Sequence, residues 1–446
     1  MTWPPLRIVA RTRDVTLTGD VPPAAAPYLT AIRTVDRGLT ARVGLEGPDG
    51  TVLRASYDGR RVALEVTREG RTKRHLSRRH ARPRDPSELA VTLAGPVATA
   101  WTVEPRGPVA RAQVLLDEAH PDLDVHDEAW CAGVAPANGR LAGFGRLGLR
   151  DLRLVTYADG SPHREEGGPL LLTATAAGPA GFRTAHTVVL ALEGLATPED
   201  PRDTPRLVHR ADLFWRRPER PGVYGDHATH LVRDGDRWLA ATSTWGDFHP
   251  TRHPRVTTTL ATVPAVPGAD GPGTDLTRGS HVLDTEPLDL PVEGLSSVGT
   301  WDPHLVRDDD GSWLVGYVSA RRFFSFHPAV ATGPDLHGLS LSAAATERGQ
   351  CEGTTLLRDP DDGRWRVLAT EREDGRTGYP VLDLGLRERD RLDAAFPSNL
   401  PWPTLAQVPG ATGPEWVMVG FDGTTAGGRL PGYGTHGDLV VQRATR

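Results

Sequence analysis

A short pattern that returns along the chain restricts its fold more than any other feature. Residues 151–160 read DLRLVTYADG, 226–244 read DHATHLVRDGDRWLAATST, 302–319 read DPHLVRDDDGSWLVGYVS and 352–370 read EGTTLLRDPDDGRWRVLAT. A degraded copy, EWVMVGFDGTT, stands at 415–425. Each copy opens on an acidic residue, continues into an apolar pair, turns at Asp and Gly, and resumes as a second apolar segment often opened by Trp. Apolar segments hinged on a Gly-containing turn are the mark of a β-hairpin. The starts, at Asp151, Asp226, Asp302 and Glu352, are 75, 76 and 50 residues apart, room for a four-stranded sheet each. One such sheet cannot bury both faces alone, whereas sheets set radially cover one another, so the repeat predicts a propeller. Five copies predict five blades over residues 141–446.

The chain ahead of the repeat is also strand-like. Residues 39–67, LTARVGLEGPDGTVLRASYDGRRVALEVT, alternate in three segments joined by PDG and DGR turns, and LAVTLAG and ATAWTVEP follow. That is an antiparallel meander, and it predicts a β-sandwich over residues 1–140. At 446 residues the chain exceeds one ordinary core, consistent with two domains. The 49 glycines and 39 prolines, scattered between short segments, fit an all-β protein with many tight turns.

Charge and cysteine content exclude several classes. The formal net charge is -6, which disfavours a nucleic-acid partner. The basic stretch RTKRHLSRRHARPRD (71–85) lacks interleaved aromatics and is expected to be a solvated loop. GFGRLG (143–148) matches a dinucleotide-binding glycine pattern but has no strand–helix context. Cys131 and Cys351 form neither a disulfide framework nor a zinc set. No apolar run is long enough for a signal peptide or a membrane span, so the expected location is the cytoplasm, away from membranes.

In a propeller the inner strands run along a central channel, and equivalent ends converge on one mouth. Asp151, Asp226, Asp302 and Glu352 would meet there. Like charges gathered so closely raise one another's pKa, which gives glycosidic cleavage what it needs: one carboxyl held protonated and another ionised. From about residue 145 onward the chain resembles the five-bladed propeller glycoside hydrolases, most closely family 43. WDPHLVRDDDG (301–311) and CEGTTLLRDPDDG (351–363) carry the resemblance, with the apolar pair starting three residues after Asp302 but four after Glu352. It implies Asp151 as general base, Asp302 as the residue that orients the acid and tunes its pKa, and Glu352 as general acid. The first blade has RDLR where that family has Asp-Pro, and Asp226, two residues upstream of the expected register, is the alternative base. The Asn-Asp-Pro-Asn segment of the invertase-like family 32 is missing.

Other residues are placed near substrate by position. Trp245 and Trp301 either stack on a sugar face or pack between blades. His227 and His230 share an inner strand on opposite faces, and His227 is taken as the substrate contact. In ARRFFSFHP (320–328), Arg322 and His327 are candidates for sugar hydroxyls or an anionic group, the alternative being rim structure. His436, among glycines in GYGTHGDL, is a candidate substrate contact, and the resemblance places a histidine here near a central ion or water. No cofactor is required and no catalytic metal is expected, although a structural cation near the axis is compatible with the sequence. The expected activity is hydrolysis of an arabinofuranoside, xyloside or galactofuranoside, exo-acting and inverting, on an oligosaccharide or small glycoside. Two alternatives remain open: a phosphorylase using Arg321 and Arg322 for phosphate, and a non-catalytic carbohydrate-binding propeller.

Overall fold

The computed structural model describes residues 3–36, 38–164, 168–195, 205–267, 273–373, 375–397, 399–410, 413–424 and 437–445. The molecule is all-β, with seven sheets among the described residues. Two of them come from the N-terminal part. One runs in the order Gly107–Leu115, Val97–Glu104, Glu88–Ala94, Tyr28–Thr34, Arg140–Arg146, Thr16–Thr18. The other runs Ala135–Ala137, Ala41–Glu46, Val52–Tyr57, Val62–Arg68, Arg71–His75. Their inner faces share one core that includes Leu29, Val43, Leu53, Leu64, Val91 and Ala100, as alternation along each strand dictates. The basic stretch is not wholly a loop. Residues Arg71–His75 form an edge strand on Val62–Arg68, where charged side chains keep a free sheet edge from pairing with another chain.

Four of the other five sheets open on a copy of the repeat, while the degraded fifth copy falls on the second strand of its sheet, Gly413–Asp422. The first strands of the five are Leu149–Leu154, His227–Asp234, Gly299–Arg307, Cys351–Arg358 and Thr404–Gly410. Each gap between neighbouring sheets holds its own apolar cluster. Leu171, Trp215 and Trp238 join the first sheet to the second, and Leu239, Leu305 and Tyr317 join the second to the third. Val306, Trp365 and Leu382 join the third to the fourth, and Leu368, Tyr379 and Met418 the fourth to the fifth. Leu152, Leu190, Val419 and Phe421 close the fifth back onto the first. The five sheets therefore form a closed ring.

Two boundaries differ from those expected. Strand Leu6–Thr12 leaves the N-terminal sheets and pairs antiparallel with Asp438–Ala444, completing the fifth ring sheet. Strand Arg140–Arg146 belongs to the N-terminal sheets, so their pairing extends six residues past 140. The two parts are also joined by a common core in which Tyr28, Trp101 and Phe144 pack with Phe214 and Val223.

Candidate active site

The first strands of four ring sheets share a local irregularity, and it sets the site. Pairing with the second strand slips between Arg150 and Arg153, His227 and His230, Trp301 and His304, and Glu352 and Thr355. At each slip one residue takes a left-handed backbone: Asp151 (φ 52°), Ala228 (φ 60°), Asp302 (φ 59°) and Gly353 (φ 70°). These are β-bulges, which bend a strand and re-aim its side chains. Asp tolerates this conformation better than most residues and Gly adopts it freely. The bulges supply a structural alignment that motif spacing could not. Asp151, Ala228, Asp302 and Gly353 are equivalent, and Glu352 stands one residue earlier, equivalent to Arg150, His227 and Trp301.

Three of the four expected acids come together: the charges of Asp151 and Glu352 act on Asp302, and that of Asp151 acts on Glu352. Asp226 does not join them. It lies two residues before its bulge, where the Arg217 guanidinium holds it through both nitrogens, one at 2.8 Å, and the Gly246 N–H donates to it at 2.9 Å. Its charge is committed to that buried pair, so it is corrected from substrate contact and alternative base to a structural residue.

The electrostatics divide the three carboxyls. Asp151 is 7% exposed and accepts a 2.7 Å hydrogen bond from the Thr175 hydroxyl. Glu352 keeps some open surface. Burial first, then the charge of Asp151, pushes it up to about 8, against a smaller opposing pull from Arg150 and the Trp402 indole. Asp302, 3% exposed, is raised well above the carboxylate range by burial and then by Glu352 and Asp151. Its N–H donates to Ser243 Oγ at 3.0 Å, and the Gly353 N–H favours its ionised form. At neutral pH this set holds Glu352 protonated, beside an Asp151 carboxyl that accepts from the Thr175 hydroxyl.

The remaining expected contacts divide. His227 reaches the site: its Nδ1 lies 4.0 Å from Asp151 Oδ2, its Nε2 donates to the Phe182 carbonyl at 3.2 Å, and burial lowers it to about 3, so the ring is neutral. His230 instead stacks on His304 at 4.0 Å. Trp245 and Trp301 are buried in an aromatic cluster with Phe248, Phe323 and Phe326, their rings 5.4 Å apart. They pack first, and Phe182, stacked on Trp245 and 36% exposed, presents the cluster outward. Arg322 is exposed at the end of Trp313–Arg322. His327 is fully buried in the next strand with both ring nitrogens unpartnered, so no face is open to a sugar, a second correction. His436 lies outside the described residues.

Sequence reasoning missed Arg150, Arg153, Thr175, Ser243 and Trp402. Their only signal was proximity, Arg150 and Arg153 flanking Asp151 and Trp402 standing between prolines. Among the described residues no group of three or more His, Cys, Asp or Glu could hold a metal ion. A cavity of about 710 Å³ lined by Arg217, Asp247, His253 and Thr300 comes within two residues of Asp302, yet none of the three carboxyl residues lines it.

Neither a family model nor a curated protein matches the chain. Solved structures do show similarity. A thermostable family-43 glycoside hydrolase is 14% identical, covering 66% of this chain and 88% of that one, with a TM-score of 0.38. An α-L-arabinanase of Cellvibrio cellulosa, solved with arabinohexaose, is 13% identical, covering 78% and 92%, with a TM-score of 0.35. A levansucrase of Bacillus subtilis is 12% identical, covering 66% and 83%, with a TM-score of 0.43. This chain is similar to propeller glycoside hydrolases. No helix among the described residues is long and apolar enough to cross a membrane.

Proposed function

We propose that this protein is a glycoside hydrolase in which the five ring sheets are the blades of a propeller and residues 16–146 form an accessory β-sandwich. One observation carries the proposal: three carboxyls, those of Asp151 and Asp302 buried, meet at the bulged ends of the first strands, with Glu352 pushed up to about 8 beside Asp151. Glu352, protonated at neutral pH, donates its proton to the leaving oxygen. Asp151, kept ionised by the Thr175 hydroxyl, takes a proton from the water that attacks the anomeric carbon. Asp302, itself raised well above the carboxylate range by burial and by the charges of Glu352 and Asp151, stands beside the acid as the residue that orients it. Neutral His227 lies beside Asp151, its Nδ1 3.3 Å from the same Thr175 hydroxyl, and so helps hold the base in place.

Arabinofuranosides, xylosides and galactofuranosides remain the proposed substrates, and the similarity of the two acidic motifs to family 43 is what favours inversion. The deep setting of Asp151 and Asp302 favours the end of a chain or a small glycoside over the middle of a polymer. Phosphorolysis loses one of the two arginines put forward for it, because Arg321 is spent on the carbonyls of Thr346 and Arg348 at 2.9 and 3.0 Å, while Arg322 is exposed. The test is a panel of aryl arabinofuranosides, xylosides and galactofuranosides, with and without phosphate, using wild type and Glu352→Gln. Phosphate-independent turnover lost in the variant is the expected outcome. Phosphate dependence would make the protein a phosphorylase. Glycan binding without turnover would make it a carbohydrate-binding propeller.

A further inference from the structure

Behind the carboxyls stands a cation that the proposed acid and base do not use directly. Arg153 follows Asp151 by two residues on the first strand of the first ring sheet and is 1% exposed. Its guanidinium leaves that sheet altogether. One terminal nitrogen donates to the Asp302 carbonyl at 2.8 Å. The other donates to the Thr354 carbonyl at 2.9 Å and to the Thr355 hydroxyl at 3.2 Å. Its central carbon lies 4.5 Å from the centre of the Trp402 ring, and that ring packs against Gly353, the residue after Glu352. A single planar group thus connects the strand of Asp151 to the backbones beside Asp302 and Glu352 and to the aromatic ring flanking the acid.

A role in ring packing alone does not account for this choice of residue. Burying a guanidinium is costly unless it is paired, and an apolar side chain of similar length would fill the space at lower cost. Arg153 forms no ion pair within 4.0 Å among the described residues, and its Nε has no hydrogen-bond partner. Burial lowers it to about 10, and only the charges of Asp302 and Asp151 act against that. It therefore remains a cation at neutral pH, facing the carboxyls of Asp302 and Asp151. The other charged or titratable groups near it are Arg150, which acts on Glu352, and His230 and His304, both kept neutral by burial with Arg153 adding to that effect.

We propose that Arg153 is the positioning residue of this site: its guanidinium, gripping the Asp302 and Thr354 carbonyls and stacked on Trp402, fixes the three carboxyls relative to one another and sets a cation beside Asp151 and Asp302. The proposal rests on the glycosidase assignment for its kinetic readout but not for its titration readout.

The test compares wild type, Arg153→Met and Arg153→Lys on whichever aryl glycoside wild type hydrolyses. Misplacing a reacting group by about 1 Å costs on the order of 100-fold in rate, so Arg153→Met should lose roughly that much kcat with KM changed less than about threefold. Lys keeps the charge without the two-pronged grip and should recover part of the loss. The acidic limb of the pH profile should move upward in Arg153→Met, because a cation facing the base Asp151 is gone, and stay nearer wild type in Arg153→Lys. The second readout needs no turnover: a carboxyl titration followed by infrared difference spectroscopy should show the same upward movement in Arg153→Met. Wild type inactive on every glycoside, with the titration shifting as expected, would sink the glycosidase assignment and leave Arg153 in its role. A folded Arg153→Met with unchanged kcat and an unmoved titration would overturn the positioning role. So would failure of both variants to fold, since Arg153 would then be a keystone of the ring.

Discussion

Asp302 and Glu352 are legible in the sequence because each opens a hairpin whose turn and apolar pair repeat, so their positions along a strand can be counted. Asp226 has the same local signature yet stands elsewhere, because the bulge falls at Ala228 and shifts the register by two residues. Arg153 and Trp402 are not legible, since the contacts that matter join separate sheets, Arg153 reaching Asp302 across 149 residues of chain and Trp402 reaching back to Gly353. The chemistry proposed for Glu352 has a cost in stability whose sign is fixed. Its folded value of about 8 lies above the usual 4.5, so the folded chain holds a proton that the unfolded chain has released between those pH values. Stability from this group is fully present below pH 4.5 and falls as pH rises towards 8, by up to ~1.4 kcal/mol per unit. Glu352→Gln should therefore match wild type in melting temperature near pH 4.5 and exceed it at pH 8.5. A difference that does not change with pH would contradict the raised value. Wild-type activity should fall as pH rises through about 8, and a rate still climbing at pH 9 would remove Glu352 as the acid. Thr175→Val should weaken the anion at Asp151, moving the acidic limb of the profile upward while the fold persists.

At the level of elements, the paired strands of the repeat and the meander of residues 39–67 follow from alternation and turn residues, and both appear in the pairing observed. Alternation cannot announce a bulge, because a left-handed residue inside a strand leaves the apolar pattern intact on either side. Gly353 shows what the bulge demands. At φ +70° an L side chain is strained, and an added Cβ would stand 2.4 Å from Trp402 Cδ1, a distance no relaxed contact permits. Gly353→Ala should cost about 1–3 kcal/mol from backbone strain and crowding. It should also displace Trp402 from both Glu352 and Arg153. Kinetics and denaturation then give separable answers: kcat should fall by far more than the loss of folded protein explains. A variant that loses stability but keeps its full kcat would show that Trp402 has no part in placing the acid.

Across the whole molecule the division expected at residue 140 is legible only in outline, because the contacts that blur it join residues distant in sequence. Leu6, 1% exposed, starts the strand that completes the fifth ring sheet and packs with Leu405, Trp416 and Met418. The N-terminal sheets are bound to the ring by more than that strand. Tyr28 Oη donates to the Ala185 carbonyl at 2.8 Å, the Asp20 N–H donates to His209 Nδ1 at 3.1 Å, and the Arg216 fork meets Glu128 at 2.6 Å. Asp117 receives Arg183, beside the Phe182 carbonyl that fixes His227, so the N-terminal part buttresses one wall of the site. Tethered domains move and melt independently, whereas a shared apolar core couples their unfolding. Wild type should give one calorimetric transition. Leu6→Ala removes a buried side chain worth about 2–5 kcal/mol, and it should lower that single transition as a whole, with the N-terminal sheets and the ring losing structure together. A first transition confined to residues 16–146 in wild type, or a Leu6→Ala effect confined to the ring, would mean that the common core around Tyr28 and Phe214 does not couple the two parts.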